Sequence, residues 1–136
     1  MNGNREDWVR EINGDLGSFN QLVGLRAEAV GQGWYRVVCQ IREELCNPRG
    51  AVHGGMSATL ADVAGGIAAL YASGEKRPLV TQSMSLHYLR PLTGTKMIAE
   101  GRALKAGRRT CLARVDIRDE EEQLCCTGDL ELFYLD

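Results

Sequence analysis

The chain has 136 residues, 44% hydrophobic and 25% charged, which is enough for one globular domain over residues 1–136 and leaves no material for a second. A net charge of -2 gives no electrostatic footprint for nucleic acid, and no apolar run approaches the ~20 residues that a membrane span needs. Five cysteines without a C-x-x-C pair, with two histidines and no ligand spacing, point to reduced thiols rather than a disulfide framework or a metal site.

Residues 1–10 are polar and lack the apolar core of a secretory signal, so a soluble, cytoplasmic protein is expected. From residue 7 to 23, Trp8, Ile12, Leu16, Phe19 and Val23 recur at helical spacing. Gly14 and Gly17 divide this N-terminal helical segment (1–23) into two pieces. The first strand is predicted over 35–41, where Tyr35, Val37, Cys39 and Ile41 alternate with Arg36, Val38 and Gln40.

A long helix is predicted over 55–73. Met56, Leu60, Val63, Ile67 and Leu70 form one apolar stripe. Ala58, Ala61, Ala64, Gly65, Gly66, Ala68 and Ala69 form a second surface without bulk, against which a curved sheet can press closely. After a breaker-rich loop at 73–78, strands are predicted at 80–88, 96–106, 111–118 and 123–134. Arg90-Pro91 ends the first of these and Ala106-Gly107-Arg108-Arg109 makes a tight hairpin. Cys125 and Cys126, adjacent in the last strand, are expected on opposite faces. One long helix followed by a strand meander is an α+β pattern, an antiparallel sheet covering the helix.

The chemistry concentrates where the long helix begins. Asn47-Pro48-Arg49-Gly50-Ala51-Val52-His53-Gly54-Gly55 puts a histidine and two bare amides at a helix N-terminus. Such amides carry partial positive charge, and glycines let a substrate oxygen come close, as an oxyanion hole requires. Asp62 lies in the apolar helix that follows, where a carboxylate must be exposed, paired or functional. At ~1.5 Å per residue, Asp62 lies about 12 Å along the axis from Gly54. That is too far to act on a carbonyl held at its own helix start. Two chains packed antiparallel about a two-fold axis would set each Asp62 beside the partner's Gly54, giving a homodimer with composite sites. Gly55-Met56-Ser57-Ala58-Thr59 lacks the last glycine of a serine-hydrolase elbow and does not follow a buried parallel strand.

The run Asn47-x-x-Gly50-x-x-His53-Gly54-Gly55, with Leu60-Ala61-Asp62 after it, resembles the signature of hotdog-fold acyl-CoA thioesterases of the PaaI-like, phenylacetate-pathway type. The similarity runs from Leu22-Val23-Gly24-Leu25 through Thr81-Gln82-Ser83-Met84-Ser85-Leu86-His87-Tyr88-Leu89-Arg90-Pro91 to Gly107-Arg108-Arg109-Thr110. The resemblance implies a long central helix wrapped by an antiparallel sheet, and thioester hydrolysis without a cofactor, CoA being part of the substrate. It also implies homodimers that pair into homotetramers.

The site roles follow from the same resemblance. The amide of Gly54 or Gly55 would hold the thioester carbonyl, and Asp62 of the other subunit would act as base or nucleophile. Asn47 would place water, His53 would align the thioester, and Thr81 or Ser83 would assist. Arg90, Arg108 and Arg109 are candidates for the CoA phosphates. The alternative is a non-catalytic acyl-CoA-binding hotdog protein, and a hotdog dehydratase fits the spacing poorly. The presence of Asp62, Asn47 and both glycines favours catalysis.

Overall fold

The computed structural model describes residues 5–136, so the first four residues of the polar N-terminal stretch lie outside the described residues. The elements run α1 (Glu6–Gly14), α2 (Ser18–Val23), β1 (Leu25–Gly31), β2 (Trp34–Gln40), α3 (Gly54–Leu70), β3 (Leu79–Tyr88), β4 (Lys96–Ala106), β5 (Thr110–Asp119) and β6 (Leu124–Tyr134). A short 3-10 turn, Glu43–Leu45, precedes α3.

All six strands form one antiparallel sheet in the order β1-β2-β4-β5-β6-β3. Helix α3 lies against its inner face, touching β2, β4, β5, β6 and β3. This is the α+β, helix-in-sheet architecture that the hotdog resemblance implies. Among the described residues no helix is long and apolar enough to cross a membrane.

The sheet can close on the helix because the contact is made nearly backbone to backbone. A Cβ on Gly101 of β4 would overlap the Ala64 carbonyl, and one on Gly65 would meet Leu130 Cδ2 at 2.9 Å and Val115 Cγ2 at 3.2 Å. Ala61, Ala64, Ala68 and Ala69 are fully buried in the same seam. The second, small-residue surface of α3 is therefore the one the sheet presses on. Gly66 is the exception, with open space beside it.

Two expectations need correction. The sequence reading placed the first strand at 35–41, yet β1 precedes it and pairs with β2 from Leu25↔Cys39 to Gly31↔Trp34. Its inward positions Ala27 and Ala29 are weak strand formers, and pairing supplies what propensity does not. Asn13 of α1 helps hold it, since its side chain accepts from Ala27 N at 2.8 Å and donates to Ala27 O at 3.0 Å. The adjacent thiols are also not segregated. Ile117 pairs with Cys126 and Arg118 with Leu124, so Cys125 is an extra residue in a bulge. Alternation fails there, both thiols are buried, and both border one cavity.

Helix α3 ends at Leu70, three residues before the expected point. The Tyr71 amide caps it and Gly74, at φ +87°, turns the chain out. Gly101→Ala should lower unfolding stability by about 3 kcal/mol in urea titration, because the added methyl has only backbone to meet. Gly14→Ala, with nothing within 4 Å, should not lower it.

Candidate active site

The loop before α3 is a braced turn. Asn47 Oδ1 accepts from Arg49 N at 2.9 Å and from Ala51 N at 3.3 Å, while Asn47 N donates to Ala51 O at 2.7 Å. Gly50 sits at φ +89°, the left-handed region where glycine carries no steric penalty. Val52 N then donates to Leu92 O at 2.9 Å and His53 N to Leu45 O at 2.8 Å. The start of α3 is thus held from both sides.

His53 is the N-cap, its Nδ1 accepting from Gly55 N at 2.9 Å. That bond requires the neutral imidazole with its proton on Nε2. Met56 N and Ser57 N both donate to His53 O, at 2.9 and 3.2 Å. Of the first helical amides, Gly54 N–H alone has no acceptor among the described residues. The carbonyl of Gly54 accepts from Tyr88 OH at 2.8 Å.

Asp62 is half-buried two turns along α3, where Thr81 Oγ1 donates to its Oδ1 at 2.7 Å. A bulge in β3 produces this contact. Thr81 pairs with buried Leu132 and Ser83 with exposed Glu131, so Gln82 is the extra residue. Thr81 consequently shares the inner face with α3. Ser83 borders the groove of Asp62, Thr81 and Met84, but its register position is on the outer face and it makes no hydrogen bond to Asp62.

Asn47, Gly54, Tyr88, Leu89 and Arg90 border a cavity of about 550 Å³. Arg90 donates to Gln123 Oε1 at 2.9 Å. Arg108 and Arg109 lie on the β4–β5 hairpin and border a different cavity with Phe133 and Asp136. Arg77 fastens that hairpin, donating to Gly107 O and Arg108 O while pairing with Asp136 at 2.8 Å. Ser57 is buried, and no histidine or carboxylate side chain hydrogen-bonds to its hydroxyl.

Asn47, His53, Gly54, Gly55 and Arg90 gather at the start of α3, Asp62 and Thr81 gather further along it, and Gly55 also borders the groove of Asp62 and Thr81. The sequence reading missed Tyr88 as a site residue. Alternation marked it as inward-facing, but nothing local reveals a hydrogen bond to a residue 34 positions earlier. Among the described residues no cluster of three His, Cys, Asp or Glu side chains could hold a metal ion.

Comparison with known proteins identifies the architecture. The Thioesterase superfamily model matches residues 49–126, a span that includes α3, β3 and the amide cluster. The crystal structure of thioesterase HI1161 from Haemophilus influenzae superposes with a TM-score of 0.85 at 26% identity, covering 100% of this chain and 96% of that one. Proofreading thioesterase EntH from Klebsiella pneumoniae is 32% identical over 80 residues, 59% of this chain and 58% of that protein. The 1,4-dihydroxy-2-naphthoyl-CoA hydrolase of Escherichia coli K12 is 23% identical over 129 residues, 90% of this chain and 95% of that protein. The chain belongs to the thioesterase superfamily and is a hotdog-fold thioester hydrolase.

Proposed function

We propose that the chain is an acyl-CoA thioesterase of the PaaI-like type, working as a homodimer with two composite sites. One observation carries this reading: the two halves of the site are tied to opposite ends of the same exposed edge strand. Thr81, near the start of β3, bonds Asp62, and Tyr88, at its end, bonds Gly54. Strand β3 is almost wholly exposed, with Val80 at 49%, Met84 at 38% and Tyr88 at 56% accessible. An edge of this length and apolarity calls for a partner.

Antiparallel pairing of β3 with a second copy, about an axis through Ser85 and with Gln82 the extra residue of each strand, sets each Thr81 against the partner's Tyr88. Asp62 then faces the partner's Gly54. Arg90 of one chain and the partner's hairpin arginines Arg108 and Arg109 converge on the same site, where they suit the phosphates of CoA. Dimers pair further into homotetramers, with light scattering as the measure of mass.

In the reaction, the thioester carbonyl oxygen accepts from Gly54 N–H. Within the partner, Thr81 occupies Oδ1 of Asp62, leaving Oδ2 of the partner's Asp62 to take a proton from water as the water oxygen attacks the carbonyl carbon. The carbonyl electron pair moves to the oxygen at Gly54. Its return breaks the C–S bond, and CoA leaves as the thiol after regaining the proton. Attack by Asp62 itself would form a mixed anhydride instead. Single turnover in labelled water distinguishes the two routes, since only the anhydride leaves label in Asp62.

Release of free thiol from a panel of aryl-, short- and medium-chain acyl-CoAs tests the activity. Tight binding without thiol release would overturn hydrolysis in favour of an acyl-CoA-binding protein. Asp62→Ala should abolish turnover. Gly54→Pro should do the same by deleting only the N–H, since proline suits the first helical position and His53 at ψ 137° suits a residue before proline. Mixing the two inactive chains in equal amounts should restore about a quarter of wild-type activity, because half the dimers are mixed and each mixed dimer carries one intact site. No restoration would exclude shared sites. Ser57→Ala should keep near-wild-type kcat, whereas a loss matching Asp62→Ala would reinstate a serine nucleophile.

A further inference from the structure

The peptide joining Gly54 to Gly55 is clamped at both poles. Its carbonyl accepts from Tyr88 OH at 2.8 Å and its N–H donates to His53 Nδ1 at 2.9 Å. Glycine pairs rotate easily, so an unclamped peptide here would sample several orientations and offer either amide to a ligand. The clamp removes that choice. Gly55 N–H is spent on the imidazole, while the preceding peptide is fixed by Met56 N and Ser57 N donating to His53 O. Those two bonds also polarise the 53–54 peptide and leave Gly54 N–H the more positive for it.

We propose that Tyr88 and His53 are positioning residues, which hold the Gly54–Gly55 peptide so that Gly54 N–H is the single amide presented to the thioester oxygen. The proposal rests on the reading of Gly54 as the oxyanion donor. It adds a tyrosine from the far end of β3 and gives His53 a backbone-directed task in place of direct alignment of the substrate. The surroundings fit. A Cβ on Gly55 would stand 3.0 Å from His53 Nδ1, so the cap needs glycine at that position. The Tyr88 ring lies 3.7 Å from where a Cβ of Gly54 would be, so the ring sits directly beside the peptide it bonds. Burial, and then the neighbouring Cys126, push the Tyr88 phenol above its ordinary range, so it remains a donor at neutral pH.

The test separates positioning from packing. Tyr88→Phe keeps the ring and deletes the donor, and should lower kcat about tenfold, the worth of one hydrogen bond, with KM unchanged within about twofold. His53→Ala should lower kcat likewise, and His53→Asn, which can also cap a helix start, should recover most of it. The Gly54 carbonyl carbon resonance should move in Tyr88→Phe while the thermal midpoint stays near wild type. Wild-type kcat in Tyr88→Phe, an unmoved Gly54 carbonyl resonance, or loss of kcat only in step with loss of the fold would each overturn the proposal. If the wild-type chain releases no thiol from any acyl-CoA, the hydrolase reading fails on its own. The clamp is then judged by the carbonyl resonance and Gly55 amide exchange, and no change in either would overturn it.

Discussion

Everything in this molecule depends on how closely β4 and its neighbours approach α3. With glycine at 65 and 101 and alanine at 61, 64, 68 and 69, the helix sinks into the sheet until Gly101 has no room for a side chain beside the Ala64 carbonyl. An interior glycine such as Gly65 costs about 1 kcal/mol in helix propensity, and the close packing of the buried face of α3 offsets that. The depth of burial also has a chemical consequence. It brings α3 within hydrogen-bond reach of β3, at the far edge of the sheet, at Asp62 and again at Gly54.

The two contacts divide labour by chemistry. At the helix start, backbone amides and the helix dipole add their positive potential to that of the nearby Arg90, and the His53 imidazole engages the Gly55 amide. Further along the helix, a carboxylate is kept half-buried beside one hydroxyl, with its second oxygen uncommitted. The rise of the helix separates Asp62 from Gly54 N–H, and in the proposed dimer symmetry sets each Asp62 beside the partner's Gly54.

Much of this was legible in the sequence, for reasons that can be stated residue by residue. The apolar stripe from Met56 to Leu70 and the alternation in β2 through β6 are long periodic signals, and they marked the elements to within a few residues. The Asn-Gly-His-Gly-Gly run marked the start of α3, and Asp62 the one carboxylate within it. What failed was whatever depends on one extra residue. The bulges at Gln82 and Cys125 invert the facing of the residues beyond them, which placed Ser83 nominally beside Thr81 and split two thiols that in fact share a cavity. Strand β1 went unseen because its central core positions, Ala27 and Ala29, are weak strand formers whose commitment comes from pairing with β2. Tyr88 was hidden for another reason, since its partner is a backbone carbonyl 34 positions earlier, at the start of α3.

The bulge at Gln82 also constrains how this chain can diverge. Between Thr81 and Tyr88 the strand acts as a ruler, with one end fixed to the Asp62 carboxylate and the other to the Gly54 carbonyl. Substitutions along its outer face change only surface chemistry. Gain or loss of one residue would leave the ladder hydrogen-bonded yet turn one end of the ruler away from the helix. Descendants of this sequence are therefore free to vary in composition along that stretch while its length stays fixed, and a one-residue indel there would yield a protein that folds and does not turn over.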